Sequence, residues 1–203
     1  MPVRGRTDAI PPQVLILIGI ASVQFGAAFA GTLFDEAGPA GVVLLRLTFA
    51  SLVLLALTRP RLADRTRRDL LAVAAFGLVL ACMNWSFYES VHRLPLGAAV
   101  TVEFIGPLGV AIAGSHKLLD LVWVVLAGGG VALLALGGSQ QSLNLSGLLL
   151  AALAGAFWAA YILLSQRVGS SFAGLDGLAI ALALATILMI PAGVVQGGSA
   201  LLR

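Results

Sequence analysis

Glu103 stands in the middle of an apolar stretch, PLGAAVTVEFIGPLGVAIAG, with roughly eight to eleven uncharged residues on each side. A carboxylate at the centre of a bilayer costs on the order of 2.5 kcal/mol or more, so such a group faces a partner or a wet cavity. Gly106 and Pro107 follow within one helical turn. Pro107 has no N–H to give the Glu103 carbonyl, so a helix break is expected at this point. An ionisable side chain beside a broken helix at membrane depth is how many transporters assemble a binding site.

Other polar side chains are expected at a similar depth. At about 1.5 Å of rise per residue, Glu103 lies roughly 12 Å from the outer end of its span and Arg46 roughly 10 Å from that of another. Asn84 and Trp85 come out roughly 8–9 Å deep, and Gln24 roughly 14 Å. Lipid offers these groups no partners, so they should turn inward. Glu103 and Arg46 could line a substrate path, giving a zwitterionic amino acid an anion for its ammonium and a cation for its carboxylate. Alternatively they neutralise each other and lock two spans together. Glu103 is also the expected carrier of a coupling proton, since burial and a nearby guanidinium act on a carboxyl group in opposite directions.

Asn84, Trp85 and Tyr88 share a helical face by spacing, and suit a polar small molecule between aromatic walls. Tyr88 would equally fit an interfacial aromatic belt. Trp158 and Tyr161 share a face further along and serve either as cavity lining or as packing. Glu89 and His92, close to the outer end of their span, are expected to be solvated. There is no HExxH, GxSxG, Walker loop or cysteine-rich metal site, so no catalytic residue, metal or cofactor is expected. His92 and His116 fall on opposite sides of the membrane and cannot share a site. The triplets at Asn84 and Asn144 match a glycosylation pattern by chance.

The elements that would carry these residues are membrane helices. The chain has 203 residues, 60% hydrophobic and only 10% charged, and a mean hydropathy of +1.03. A soluble domain is about a quarter charged. Seven spans of the required ~20 residues are expected, near 13–33, 39–57, 70–90, 95–114, 119–137, 146–166 and 175–196. Arg4 and Arg6 precede a run containing Ala28-Phe29-Ala30, which loosely resembles a cleavage site, but the run is long and more spans follow, so a retained helix is expected. The single cysteine, Cys82, excludes an intrachain disulfide.

Nine of the twelve basic residues fall on one side if the N-terminus is cytoplasmic: Arg4, Arg6, Arg59, Arg61, Arg65, Arg67, Arg68, Lys117 and Arg167. That asymmetry sets orientation and argues against a nucleic-acid partner despite the net charge of +3. Small residues recur at Gly26-xxx-Ala30, Ala27-xxx-Gly31, Ala151-xxx-Gly155 and Gly128-Gly129-Gly130, spacings that allow helices to approach closely. Such contacts serve intramolecular packing, with a homodimer left open. Spans one and six are weakly alike and five helices apart, as an inverted repeat would have them.

The text Met83-Asn84-Trp85-Ser86-Phe87-Tyr88, then Arg93-Leu94-Pro95-Leu96-Gly97-Ala98-Ala99-Val100 and Val102-Glu103-Phe104-Ile105-Gly106-Pro107-Leu108, resembles the EamA-type drug/metabolite transporters, especially their threonine and homoserine exporter branch. A second match runs from Phe157 to Gly169, and Arg46 resembles an early arginine of the family. The resemblance implies a proton-linked exporter of small amino acids in the bacterial inner membrane, with small-molecule substrate, protons and lipids as partners. It implies a ten-helix fold of two inverted five-helix repeats. Against that pattern, this all-α polytopic chain would hold a first repeat at 1–138 and two helices of a second at 139–203. A truncated, non-transporting membrane subunit and an exporter of another metabolite or drug are the alternative expectations.

Overall fold

The computed structural model describes residues 33–60, 65–114 and 144–198, with isolated positions at 14, 122, 125–126, 129 and 133. Within the three stretches lie six helices: α1 Phe34–Thr58, α2 Arg67–Val91, α3 Leu96–Glu103, α4 Ile105–Gly114, α5 Leu145–Ser171 and α6 Asp176–Gly197. Counting α3 and α4 as one broken span, five segments of the described residues are long and apolar enough to cross a membrane. They coincide with the expected spans two, three, four, six and seven. The expected spans at 13–33 and 119–137 lie outside the described residues, apart from a few positions.

α2 is the central helix. It packs against α5 and α6 and more lightly against α1, while α1 lies along α6 and α3–α4 lie along α5. The core is built of short and branched side chains, among them Ala40, Val43 and Leu47 of α1, Val73 and Phe76 of α2, and Ala185 and Met189 of α6. The opposite faces are apolar and exposed, as at Phe49 and Leu57 of α1 and Ile187 and Val195 of α6. An exterior of this kind belongs in hydrocarbon.

Asp35-Glu36-Ala37-Gly38-Pro39, expected as a connection, is instead the opening of α1. Gly38 takes a left-handed φ of 64° inside it, which interrupts the helix and which glycine adopts without a Cβ penalty. Pro39 then restarts it, at a position where a missing N–H is harmless. At the other end of the bundle Thr66 and Asp69 form a reciprocal capping box at the start of α2. Beside it, Arg65 donates through Nη1 to the Ser171 carbonyl at 2.6 Å, with its guanidinium 4.7 Å from the Phe172 ring centroid. An arginine expected only as an orientation signal therefore also ties α2 to the end of α5.

Glycines stand where helices meet backbone to backbone. A Cβ on Gly77 would come within 2.8 Å of the Ala181 carbonyl, and one on Gly193 within 2.6 Å of the Leu44 side chain. The tightest crossing joins the α3–α4 break to Ala151-xxx-Gly155. A Cβ on Gly106 would lie 1.9 Å from the Gly155 carbonyl, whereas Gly109 on the same helix meets nothing within 4 Å. Gly106→Ala is therefore expected to destabilise the bundle by about 1–3 kcal/mol, the usual cost of overpacking. Gly109→Ala should leave the melting temperature unchanged or slightly raised. Paired thermal melts in detergent check the contrast.

Candidate functional site

The helix carrying Glu103 breaks one residue beyond it, at Phe104, and resumes at Ile105. Leu108 N–H returns the ladder to the Phe104 carbonyl at 3.1 Å, while Pro107 can give nothing to the carbonyl of Glu103. That carbonyl abuts Gly155 instead: a Cβ there would lie 2.6 Å from it. Gly106 in turn faces the carbonyl of Gly155 itself, so backbone meets backbone in both directions across the crossing. This arrangement favours weak Cα–H···O contacts. The Glu103 side chain is 7% exposed and has no hydrogen-bond or ion-pair partner among the described residues. Trp158 flanks the break, its ring edge-on to Phe104 at 5.1 Å.

Arg46 and Glu103 do not form the expected pair. Arg46 is carried by α1, against α6 and α2, whereas Glu103 sits on α3, against α5. Arg46 donates through Nη1 to Tyr88 Oη at 2.7 Å and lies 5.7 Å from the centroid of the same ring. Tyr88 is buried, edge-on to Phe34. Asn84 spends its amide on its own helix, donating to the Leu80 carbonyl at 2.9 Å. Tyr161 stacks at a tilt on Phe76, 5.2 Å away, at the margin of the core. Gln24 lies outside the described residues. The seven expected site residues that are described are thus not one cluster: Trp85 separates from Tyr88, and the aromatic pair of α5 divides between the break and the core.

The polar centre that does assemble is built on Glu89. Expected to be solvated, it is 7% exposed. One oxygen accepts from Gln196 Nε2 at 2.7 Å and from Trp85 Nε1 at 3.3 Å. The other is bonded to Arg93, one turn along the same helix. Gln196, at the end of α6, also accepts the Ala40 N–H through Oε1 at 2.8 Å. Ala40 follows the Gly38–Pro39 interruption, where the helix cannot supply that donor with a partner. One amide therefore ties α6 to both α1 and α2.

This centre borders a cavity of about 480 Å³. Cys82, Trp85, Ser86, Glu89 and Arg93 line it from α2 and its end, a single face at i, i+3 and i+4 spacing. Leu150, Leu153 and Phe157 of α5 form the apolar wall, and Gln196 closes one side. The spacing Trp85, Glu89, Arg93 was the signal available in the sequence. Nearness to a helix end argued for solvation and outweighed it, because the span reaching Glu89 from α6 could not be positioned from sequence.

Gln196→Leu would leave the Ala40 N–H without its acceptor and remove one donor from Glu89. An unsatisfied buried group costs about 1–3 kcal/mol, so a lower melting temperature is expected. Gly38→Ala should act in the same direction, since its Cβ would meet the Gln196 side chain at 3.2 Å. If both variants melt with the unsubstituted protein, the amide is not holding these helices.

No family model matches the chain, and no solved structure matches it. Among curated proteins it is 41% identical over 201 residues to the threonine/homoserine exporter RhtA of Salmonella typhimurium LT2, covering 97% of this chain and 68% of that protein. It is 41% identical over 191 residues to the threonine/homoserine exporter RhtA of Escherichia coli K12, covering 94% of this chain and 64% of that protein. Identity at this level, running through every helix described above, establishes the relationship: the chain belongs to the RhtA exporter family.

Proposed function

We propose that this chain acts in the export of threonine, homoserine or similar small amino acids across the bacterial inner membrane, driven by protons. The observation that carries the reading is the 41% identity over 97% of the chain to a threonine/homoserine exporter. A bundle with an apolar exterior, a buried carboxyl group at a broken helix and a cavity lined by an ion pair is consistent with such a task. Glu103 is the coupling group in this reading. It is buried, it is held at the break by the Gly155 crossing, and nothing among the described residues neutralises it. Arg46 and Tyr88 form one polar contact between α1 and α2, and Trp158 braces the break. Seven spans with a cytoplasmic N-terminus, and inverted repeats at 1–138 and from 139, complete the proposed architecture.

Expression of the chain in a bacterial strain without its own threonine exporters tests the function. Cells should retain less radiolabelled threonine and grow at inhibitory homoserine concentrations. Unchanged retention and growth would overturn the proposal. In membrane vesicles, Glu103→Gln should remove the acceleration that an imposed pH gradient gives to threonine flux. A variant that still responds fully to the gradient excludes Glu103 as the coupling group.

A further inference from the structure

We propose that the cavity between α2 and α5 binds an α-amino acid as its zwitterion, and that Ser86 selects for a hydroxyl on its side chain. The proposal rests on the export reading above and assigns its substrate to particular groups. A volume of about 480 Å³ falls in the range of small-molecule sites, about 300–1,000 Å³. Both charges of the Glu89–Arg93 ion pair line it, so the cavity presents an anion and a cation one helical turn apart.

Each charge has capacity left over. Arg93 bonds Glu89 through Nη1 alone, to its carboxylate and to its carbonyl. The Nε and Nη2 edge of the guanidinium has no partner among the described residues. That edge is the fork that grips a carboxylate with two parallel hydrogen bonds. Glu89 accepts three hydrogen bonds, from Arg93, Trp85 and Gln196, where an ionised carboxylate offers about four acceptor positions. The remaining position suits an ammonium. The Trp85 ring, 40% exposed and held by its own bond to Glu89, adds a face for the same cation.

The third group of the substrate is its side chain. Across the cavity stand Leu150, Leu153 and Phe157, with no charge among them, so a short neutral side chain is favoured over a charged one. Ser86 lies one turn before Ser90 on α2 and is 6% exposed. A serine within a helix commonly bonds the carbonyl one turn back, as Thr48 and Thr101 do in this protein. Ser86 makes no such bond, and its hydroxyl has no partner among the described residues. Placed in the cavity wall next to the charged pair, it can exchange a hydrogen bond with a substrate hydroxyl.

Cys82, the only cysteine of the chain, lies in the same wall and serves as a probe in the unsubstituted protein. The rate of its reaction with a small methanethiosulfonate reagent is measured in detergent with and without amino acids, beside the cellular export assay. Threonine and homoserine should slow the reaction. 2-Aminobutyrate should need a higher concentration, and N-acetylthreonine should give no protection. Glu89→Gln should raise the threonine concentration for half-protection about tenfold or more, the loss expected for a hydrogen bond to a charged group. Ser86→Ala should reduce the preference for threonine over 2-aminobutyrate about fivefold and leave protection by 2-aminobutyrate intact.

Export of threonine with no protection of Cys82 overturns this site and leaves the export reading standing. Absence of both export and protection overturns both. Protection that Glu89→Gln does not weaken overturns the zwitterion assignment, and protection whose threonine preference survives Ser86→Ala overturns the hydroxyl contact. Should Glu89→Gln fail to fold, seen as an altered Cys82 rate without ligand, the comparison of threonine with N-acetylthreonine on the unsubstituted protein decides the zwitterion assignment.

Discussion

Helices in lipid gain little from hiding apolar surface against one another, since the surrounding chains are as apolar as leucine; their association depends on how closely backbones can approach. In this protein that constraint is met by glycine at three helix crossings. Gly77 admits the Ala181 backbone to α2, Gly193 admits Leu44 to α6, and Gly155 admits the α3–α4 break to α5. The polar chemistry is downstream of these approaches. Gly193 and Gln196 lie one turn apart on α6, so the contact that brings α1 against Gly193 also brings the Ala40 N–H to the Gln196 amide. With bulkier residues at the crossings the helices would stand apart, and side chains as short as Gln and Glu could not bridge them.

The two buried carboxyl groups illustrate opposite solutions to the cost of placing an acid in a low-dielectric setting. Glu89 is surrounded by donors from α2 and α6, and its charge is matched by Arg93 one turn away. The Glu103 carboxyl group has neither donor nor cation among the described residues, and the close approach of Gly155 is to its backbone. A saturated carboxylate is suited to holding its charge and a fixed position. An unmatched one is suited to exchanging a proton, because neither protonation state is locked by a partner. The proposed division of labour, with substrate contact at Glu89 and coupling at Glu103, draws on that difference in surroundings.

Much of the fold was legible in the sequence. Hydropathy located the five described spans to within a few residues, while the interruption expected at Gly106-Pro107 falls at Phe104, with both of those residues inside the following helix. The small-residue spacing at Ala151 and Gly155 pointed to a close crossing, which the structure supplies with the break as its partner. Depth along each helix was also readable, because rise per residue is nearly constant. Rotation and neighbourhood were not. Arg46 was matched to Glu103 on depth, yet α2 and α5 hold their helices apart. Glu89 was assigned to solvent because it is near a helix end, and the group that buries it arrives from a segment more than a hundred residues later. Pro39 read as the boundary of a helix, although a left-handed glycine before it allows the chain to continue as one bent element.

The Glu89–Arg93 pair has a mechanical implication. Both charges belong to α2 and its end, and among the described residues no ion pair joins one helix to another. The pair can therefore travel with α2 as a neutral rigid unit. Displacing α6 or α1 relative to α2 breaks hydrogen bonds with at least one neutral partner, such as those of Gln196 and the Arg46–Tyr88 contact, but separates no ion pair found among the described residues. A bundle arranged this way meets a low electrostatic barrier to rocking, which is what a protein must have if its helices are to present one cavity to two sides of a membrane in turn.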